Sequence, residues 1–460
     1  MKSAIVTAQP RPALAAPGVD PLALALIEAV GPLYAKFALR LKSMDFIGGE
    51  HFVEAARDFY EGRARLLIAF RHPYGDEPQF LMYAMHRALP REARRLGRPL
   101  AHKAHCLFLH GYEVPLWSGP LVRWILPRSG SMPVYHARLD GAGLRRIRTT
   151  MSDGAHPLAI APEGQSSYRS ETLPRVERGA LQFGFWCAEE LEAKGRVEKV
   201  HVLPVSVHLK YREEDIGALE TLGADLETKL GLAPGRSGQE DGIDAASRRR
   251  SLGLRLRAID LAIIDLAESF YALRPGSMDT RDTRWQAILE TALRRAEAML
   301  GLPSDGEQIA RVYRIRHEGW NRIFPELDLG SLPPLERELA DRRAGEAWYA
   351  MRHMETVDLG FYLDADYLES QLAAGASPTI GRLAETAYNL ADLCTRLTGG
   401  DISDRPNILD RHLVLVAEPP LEMRSRLENY RADRRSALEK AEADLVDAYH
   451  HAIKEYLDGH

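Results

Sequence analysis

Apolar and polar positions change their rhythm twice along the chain. From about Asp45 to Tyr211, short apolar runs of strand length alternate with longer amphipathic stretches, the pattern of an α/β domain whose buried strands are bracketed by turn residues and helices. Arg65 to Phe70, Pro157 to Ala161 and Val200 to Leu209 are the predicted strands of its sheet. Residues 213–250 are polar and contain Pro234-Gly235-Arg236-Ser237-Gly238, which predicts a linker or a surface excursion. After it, Leu252, Leu256, Ile259, Ile263, Leu266, Phe270 and Leu273 recur at spacings of four and three. That spacing makes one packing stripe of a helix ended by Arg274-Pro275-Gly276. Helical patterns continue over Arg284 to Leu300, Pro334 to His353, Ile380 to Leu397 and Leu421 to Leu457, with one β-like interruption at His412 to Ala417. The predicted organisation is an N-terminal helical segment (1–45), an α/β domain (46–213), a linker (214–250) and a mainly helical C-terminal domain (251–460).

With 460 residues and 45% hydrophobic content, the chain has ample material for two or three cores. Cys106, Cys187 and Cys394 lie far apart, so neither a disulfide framework nor a cysteine-rich metal site is expected, and a reducing cytoplasm fits. No stretch has the form of a secretory leader or the roughly 18 apolar residues of a spanning helix. The nearest, Pro21 to Leu41, carries Glu28, Pro32, Lys36 and Arg40 and reads as an amphipathic or core helix.

Charge changes the picture locally. The net charge is −5, yet from Arg87 to Arg148 there are 12 Lys and Arg against 3 acids, a balance of +9. Such a patch attracts phosphates, on a small substrate, a carrier or an anionic lipid surface, although Arg87, Arg91, Arg94, Arg95 and Arg98 would equally decorate a solvated helix face. Leu107 to Leu126, with Phe108, Tyr112, Trp117 and Trp124 flanked by Arg123 and Arg128, suits a groove for an apolar chain or a shallow membrane contact, with plain core as the alternative. His102, His105, Cys106 and His110 are close in sequence, but the apolar residues among them favour a half-buried segment over a metal site. His450, His451 and His460 read as a solvated helix end rather than a metal site.

Two clusters carry candidate chemistry. Arg71-His72-Pro73-Tyr74-Gly75-Asp76-Glu77-Pro78 follows a predicted strand, placing a histidine near two carboxylates at a sheet rim. Leu158 to Ala161 runs into Pro162-Glu163-Gly164-Gln165-Ser166-Ser167, followed by Arg169, Arg175 and Arg178 and then Gly179 at the start of a helical run. Cations and helix amides there would suit an anion; a plain strand-to-helix turn accounts for the second cluster as well.

Together with Gly130-Ser131-Met132-Pro133-Val134-Tyr135-His136-Ala137-Arg138 and Val202-Leu203-Pro204-Val205-Ser206 between and after them, these clusters resemble the blocks of the glycerolipid acyltransferase family, lysophosphatidate and glycerol-3-phosphate acyltransferases among them. The resemblance covers about 170 residues, Phe46 to Leu209. It implies a mixed sheet flanked by helices and transfer of a fatty acyl group from an acyl-CoA or acyl-ACP thioester to the hydroxyl of a lysophospholipid such as 1-acylglycerol-3-phosphate. His72 would be the general base and Glu77, or else Asp76 beside it, the acid that orients it. Arg138 or Arg178 would hold the acceptor's phosphate, and Glu163 would bind an acceptor hydroxyl or orient an arginine, with Gly164 in the same block. No metal or redox cofactor is implied. The partners implied are the thioester carrier, the lipid acceptor and a peripherally contacted membrane surface, with no nucleic acid. Three positions depart from the family pattern: Glu77 stands for aspartate, His136 for an arginine, and Gln165-Ser166 for Thr-Arg, so that Arg169, Arg175 or Arg178 would have to replace the usual phosphate-binding arginine. A catalytically degenerate lipid-binding scaffold and a thioester hydrolase are the alternative readings.

Overall fold

Asp20 opens the first helix, α1 (Pro21–Phe37), by accepting hydrogen bonds from the amides of Leu22 and Ala23, and Pro21 stands where its missing N–H costs nothing. This computed structural model describes residues 5–459 except 14, 136–139, 236–243, 277–278, 362, 364, 374–376 and 402–404. After α1 come β1 (Leu41–Ile47), α2 (Gly49–Tyr60), β2 (Ala64–Phe70), α3 (Glu77–Tyr83), a turn of π-helix, α4 (Leu89–Arg95), β3 (Leu107–Gly111), α5 (Val114–Trp117) and α6 (Gly119–Arg128). Next are β4 (Met132–Val134), α7 (Gly141–Asp153), β5 (Leu158–Ile160), α8 (Gly179–Ala193) and β6 (Lys199–Lys210). Among the described residues, the α-helices α9 (Ile216–Lys229), α10 (Ala245–Tyr271), α11 (Arg281–Leu300), α12 (Gln308–Ile323), α13 (Pro334–Gly360), α14 (Ala365–Ala373) and α15 (Ile380–Leu397) follow. The chain closes with β7 (Arg411–Ala417), β8 (Leu421–Glu422), α16 (Leu427–Ala432) and α17 (Arg434–Asp458).

The eight strands form one mixed, mostly parallel sheet in the order β1-β7-β6-β2-β5-β3-β4, with β8 also on β6. Strands β2 to β6 run parallel, while β7 is antiparallel to β6 and parallel to β1. Every residue of β2 is buried, as a central parallel strand covered on both faces requires. Alternation sends Leu66, Ile68 and Phe70 into one core with Phe52, Phe59, Phe80 and Met85. Leu67 and Ala69 enter the other, with Ile147, Met151, Phe185, Leu191, Leu445 and Tyr449. Each such Leu, Ile or Phe contributes roughly 1.5 to 3 kcal/mol by leaving water.

The chain divides into two compact units, and the division differs from the expected one. The α/β unit takes in residues 14–135, 139–211 and 409–460, and the helical unit is built on residues 1–13 and 212–408. The last fifty residues are thus part of the α/β unit rather than of a C-terminal helical domain, because the β-like run at His412 to Ala417 is strand β7, inserted between β1 and β6. The segment up to residue 45 is not wholly helical, since β1 starts at Leu41. The expected linker at 214–250 contains α9 and the start of α10. Its polarity misleads because Glu220 and Glu227 are buried, in ion pairs with Arg248 and Arg255. In α10 the stripe Leu252, Leu256, Ile259 and Ile263 is fully buried, whereas Phe270 is exposed and Tyr271 takes the buried place.

Tyr449 of α17 ties the returning segment to β2, its buried hydroxyl donating to the carbonyl of Ala69 at 3.0 Å. Burial, reinforced by the Glu163 charge, holds its pKa well above the ordinary tyrosine value. Tyr449→Phe is expected to cost about 1 kcal/mol, read as a lowered denaturant midpoint with an unchanged slope.

Candidate active site

Strand β2 delivers the first cluster to the carboxyl edge of the sheet, the edge where open α/β sheets bind ligands. Between β2 and its parallel neighbours β5 and β6 the chain order crosses over. The Arg71 amide still reaches the Val205 carbonyl at 2.9 Å, extending the ladder by one residue, and Pro73, which lacks an N–H, then stops the pairing. Gly75 turns the chain at φ +95°, a region that suits glycine, and α3 begins at Glu77.

This turn folds the Glu77 carboxylate back onto His72. His72 Nδ1 lies 2.6 Å from Glu77 Oε2. The Gly75 amide donates to the same oxygen at 2.8 Å, and the Tyr74 amide donates to Oε1. Both carboxylate oxygens are therefore held by the turn, so the extra methylene relative to aspartate is taken up within it. With Nδ1–H donating to the carboxylate, the lone pair of neutral His72 lies on Nε2. The His72 side chain is 22% exposed while that of Glu77 is fully buried. Asp76, the other candidate for orienting the ring, is drawn away into an ion pair with Arg411 at the start of β7.

Burial of the ring disfavours its charged form, but the charge and hydrogen bond of Glu77, with Glu163 and Asp76 adding to them, outweigh that effect, and the His72 pKa lies above the ordinary histidine value of 6.5.

The second cluster meets the first through Arg71. Its side chain and that of Glu163 are wholly buried, Nε to Oε1 at 2.9 Å. The rest of the guanidinium donates to the carbonyls of Ser170, Arg169 and Thr172 at 2.7, 2.6 and 2.8 Å. The backbones are joined as well: the Ser167 amide donates to the His72 carbonyl at 3.1 Å and the Tyr168 amide to that of Pro73 at 3.0 Å. The loop after β5 is thus wound around the residue that precedes the histidine.

This arrangement sets the surroundings of several residues with expected roles. Glu163 Oε1 is paired with Arg71, a cation other than those expected for it, because the arginine's stem points inward from the end of β2, while its Oε2 has no hydrogen-bond partner among the described residues. Gly164 serves the turn, with φ +77°. Arg169 gives its carbonyl to Arg71. Arg178 is drawn to the surface of α17, where Glu442 holds it. Arg138 and His136 lie outside the described residues. The same loop buries side-chain polar atoms of Gln165, Ser166, Ser167 and Thr172 that have no hydrogen-bond partner among the described residues.

His102, His105, Cys106 and His110 do not converge. His105 Nε2 donates to the Ser129 carbonyl at 2.9 Å and its Nδ1 accepts from His86 Nε2 at 3.1 Å; burial pushes its pKa down to about 4. His110 Nδ1 contacts the Gly111 carbonyl and Cys106 is buried. Among the described residues the group spaced to hold a metal is Glu418, His451 and Glu455, in which His451 is ion-paired with Glu418. His460 lies outside the described residues.

Sequence reasoning missed Arg71 as an organiser, although its place before the histidine was visible. Arg411 and Tyr449 carried no local signal, standing 335 and 380 residues from their partners. No family model matches the chain, and no curated protein or solved structure matches it. Among the described residues no helix is long and apolar enough to cross a membrane.

Proposed function

We propose that this protein is an acyltransferase-type α/β enzyme that moves a fatty acyl group from an acyl-CoA or acyl-carrier-protein thioester to the hydroxyl of a lysophospholipid or related polar lipid, met at a membrane surface. The observation that carries the reading is the pairing of His72 Nδ1 with the buried carboxylate of Glu77, which leaves a basic Nε2 on a partly exposed ring at the carboxyl edge of the sheet. In the reaction, Nε2 takes the acceptor's hydroxyl proton as the oxygen attacks the thioester carbonyl carbon, and Glu77 stabilises the imidazolium that forms. The tetrahedral oxyanion then collapses, the C–S bond breaks, and the imidazolium proton passes to the departing thiolate. No acyl-enzyme is required, and no metal or redox group enters these steps. Arg178 would have to leave its surface ion pair with Glu442 to hold an acceptor phosphate, an exchange that the weakness of exposed ion pairs permits.

The base works as the neutral ring. Since the His72 pKa lies above 6.5, the rate should rise with pH through a midpoint above that value and be lost as pH falls below it. Glu77→Gln removes the charge that favours the imidazolium while burial continues to oppose it, so the acid limb of kcat/KM moves to lower pH and kcat drops. An unmoved limb would show that another group titrates. In cells overproducing the protein, mass spectrometry of lipids is expected to show acylated products gaining on their lyso precursors, and no such change with His72→Ala. Identical lipid profiles for the two would count against a transferase and for a scaffold.

A further inference from the structure

Helix α1 is apolar on both faces: Ala23, Leu24, Ile27 and Ala35 are buried or half-buried. Leu22, Leu26, Val30, Leu33 and Phe37 are spaced by four, four, three and four residues, and so share one stripe, yet they are 44 to 81% exposed while the buried positions are Ala23 and Ala35. A second exposed stripe lies on the neighbouring α5 and α6, where Trp117, Leu121 and Trp124 are 40 to 64% exposed. The two are joined: the amides of Gly18 and Asp20 donate to the carbonyls of Pro127 and Arg128 at 2.9 and 2.8 Å, and Val19 bridges to Ser129. We infer that α1 and α5–α6 together form a surface that docks, in the plane of the interface, on an anionic lipid bilayer.

Length and charge select that occupant. Seventeen helical residues span about 25 Å, and α1 carries Glu28 and Lys36, so it lies on a bilayer rather than across it. Lys36 sits 5.4 Å from the Phe37 ring centre and Arg128 4.8 Å from that of Trp124, the aromatic and cationic pairing found at membrane interfaces. Residues 117 to 128 hold Arg123 and Arg128 and no acid. The single acid of α1, Glu28, is bound by Lys103 at 2.9 Å, while Arg87 donates to its carbonyl. With Lys103 and Glu28 cancelling, Lys36, Arg87, Arg123 and Arg128 beside the apolar face outnumber Asp20, the acid that caps α1. A second copy would meet it with the same sign, whereas phosphatidylglycerol or phosphatidylserine headgroups would complement it.

This inference deepens the reading of a lipid acceptor by naming the surface through which the enzyme meets it, and its test contains no thioester, so the two fail separately. The full chain is sedimented with phosphatidylcholine vesicles and with phosphatidylcholine–phosphatidylglycerol vesicles at low and high salt. Stronger partition onto the anionic vesicles, weakened by salt, is expected. Leu26→Glu/Leu33→Glu and, separately, Trp117→Ala/Trp124→Ala are expected to lower the partition coefficient about tenfold or more, with circular dichroism and thermal midpoint unchanged for at least one of the pairs. A folded variant of both pairs that partitions like the wild type overturns the inference. So does a wild type that stays in the supernatant, whether monomeric or dimeric through this face.

Discussion

His72→Ala is expected to lower acceptor-dependent thiol release by about 10² to 10⁴, the range that a positioned general base contributes, without unfolding the protein. The size follows from the geometry. Removing the ring leaves the hydroxyl proton with no acceptor held in place by Glu77, and water in its stead lacks both the orientation and the adjacent carboxylate. The fold survives because the His72 side chain is partly exposed and the shared hydrogen bond is donated by the Ser167 amide to the backbone carbonyl of residue 72, which alanine keeps. The Glu77 carboxylate retains the amides of Tyr74 and Gly75, so it is not stranded. Steady-state kinetics beside a thermal melt separate the two effects. A loss below about tenfold would remove His72 from proton transfer.

Arg71→Ala has the larger effect on the fold, about 3 to 5 kcal/mol of destabilisation. The substitution strands the buried Glu163 carboxylate and removes the donors of three carbonyls in the loop after β5. Arg71→Lys should recover little, since a single ammonium cannot serve four acceptors arranged around a planar fork. Arg71→Met with Glu163→Leu should recover part, because it removes the uncompensated charge. Denaturant midpoints of the four proteins measure this directly. A cost under about 1 kcal/mol for the single change, the range of exposed ion pairs, would contradict a buried, structure-bearing pair. Because the loop also bonds to His72 and Pro73, activity is expected to fall with stability.

The parts of the fold legible in the sequence are those set by local pattern. Strands β2 and β5 are buried parallel strands that read as continuous apolar runs, β6 is legible from its valines and leucines, and Ile380–Leu397 shows its helical period plainly. Strands β1, β3 and β4 are short or mixed in polarity, and their pairing is decided by neighbours far away in sequence. The same holds for the return of residues 409–460: His412 to Ala417 looks like a strand, but nothing local says that it enters a sheet begun nearly 400 residues earlier. At the site, His72 and Glu77 were legible because one turn holds both. The fate of Glu163 was not, since an inward arginine and an outward one look alike in sequence, and the capture of Asp76 and Arg178 by Arg411 and Glu442 depends on that same returning segment.

The central claim is that His72, oriented by Glu77, takes a proton from a lipid alcohol as that alcohol accepts an acyl group. Its most direct test follows thiol release from an acyl-thioester by the purified protein, with and without a panel of lysolipids, and weighs the lipid product in the same samples. The account predicts thiol released only when a suitable lysolipid is present, matched mole for mole by acylated lipid, and abolished by His72→Ala. Thiol released at the same rate without any lysolipid, with free fatty acid as the product, would contradict it.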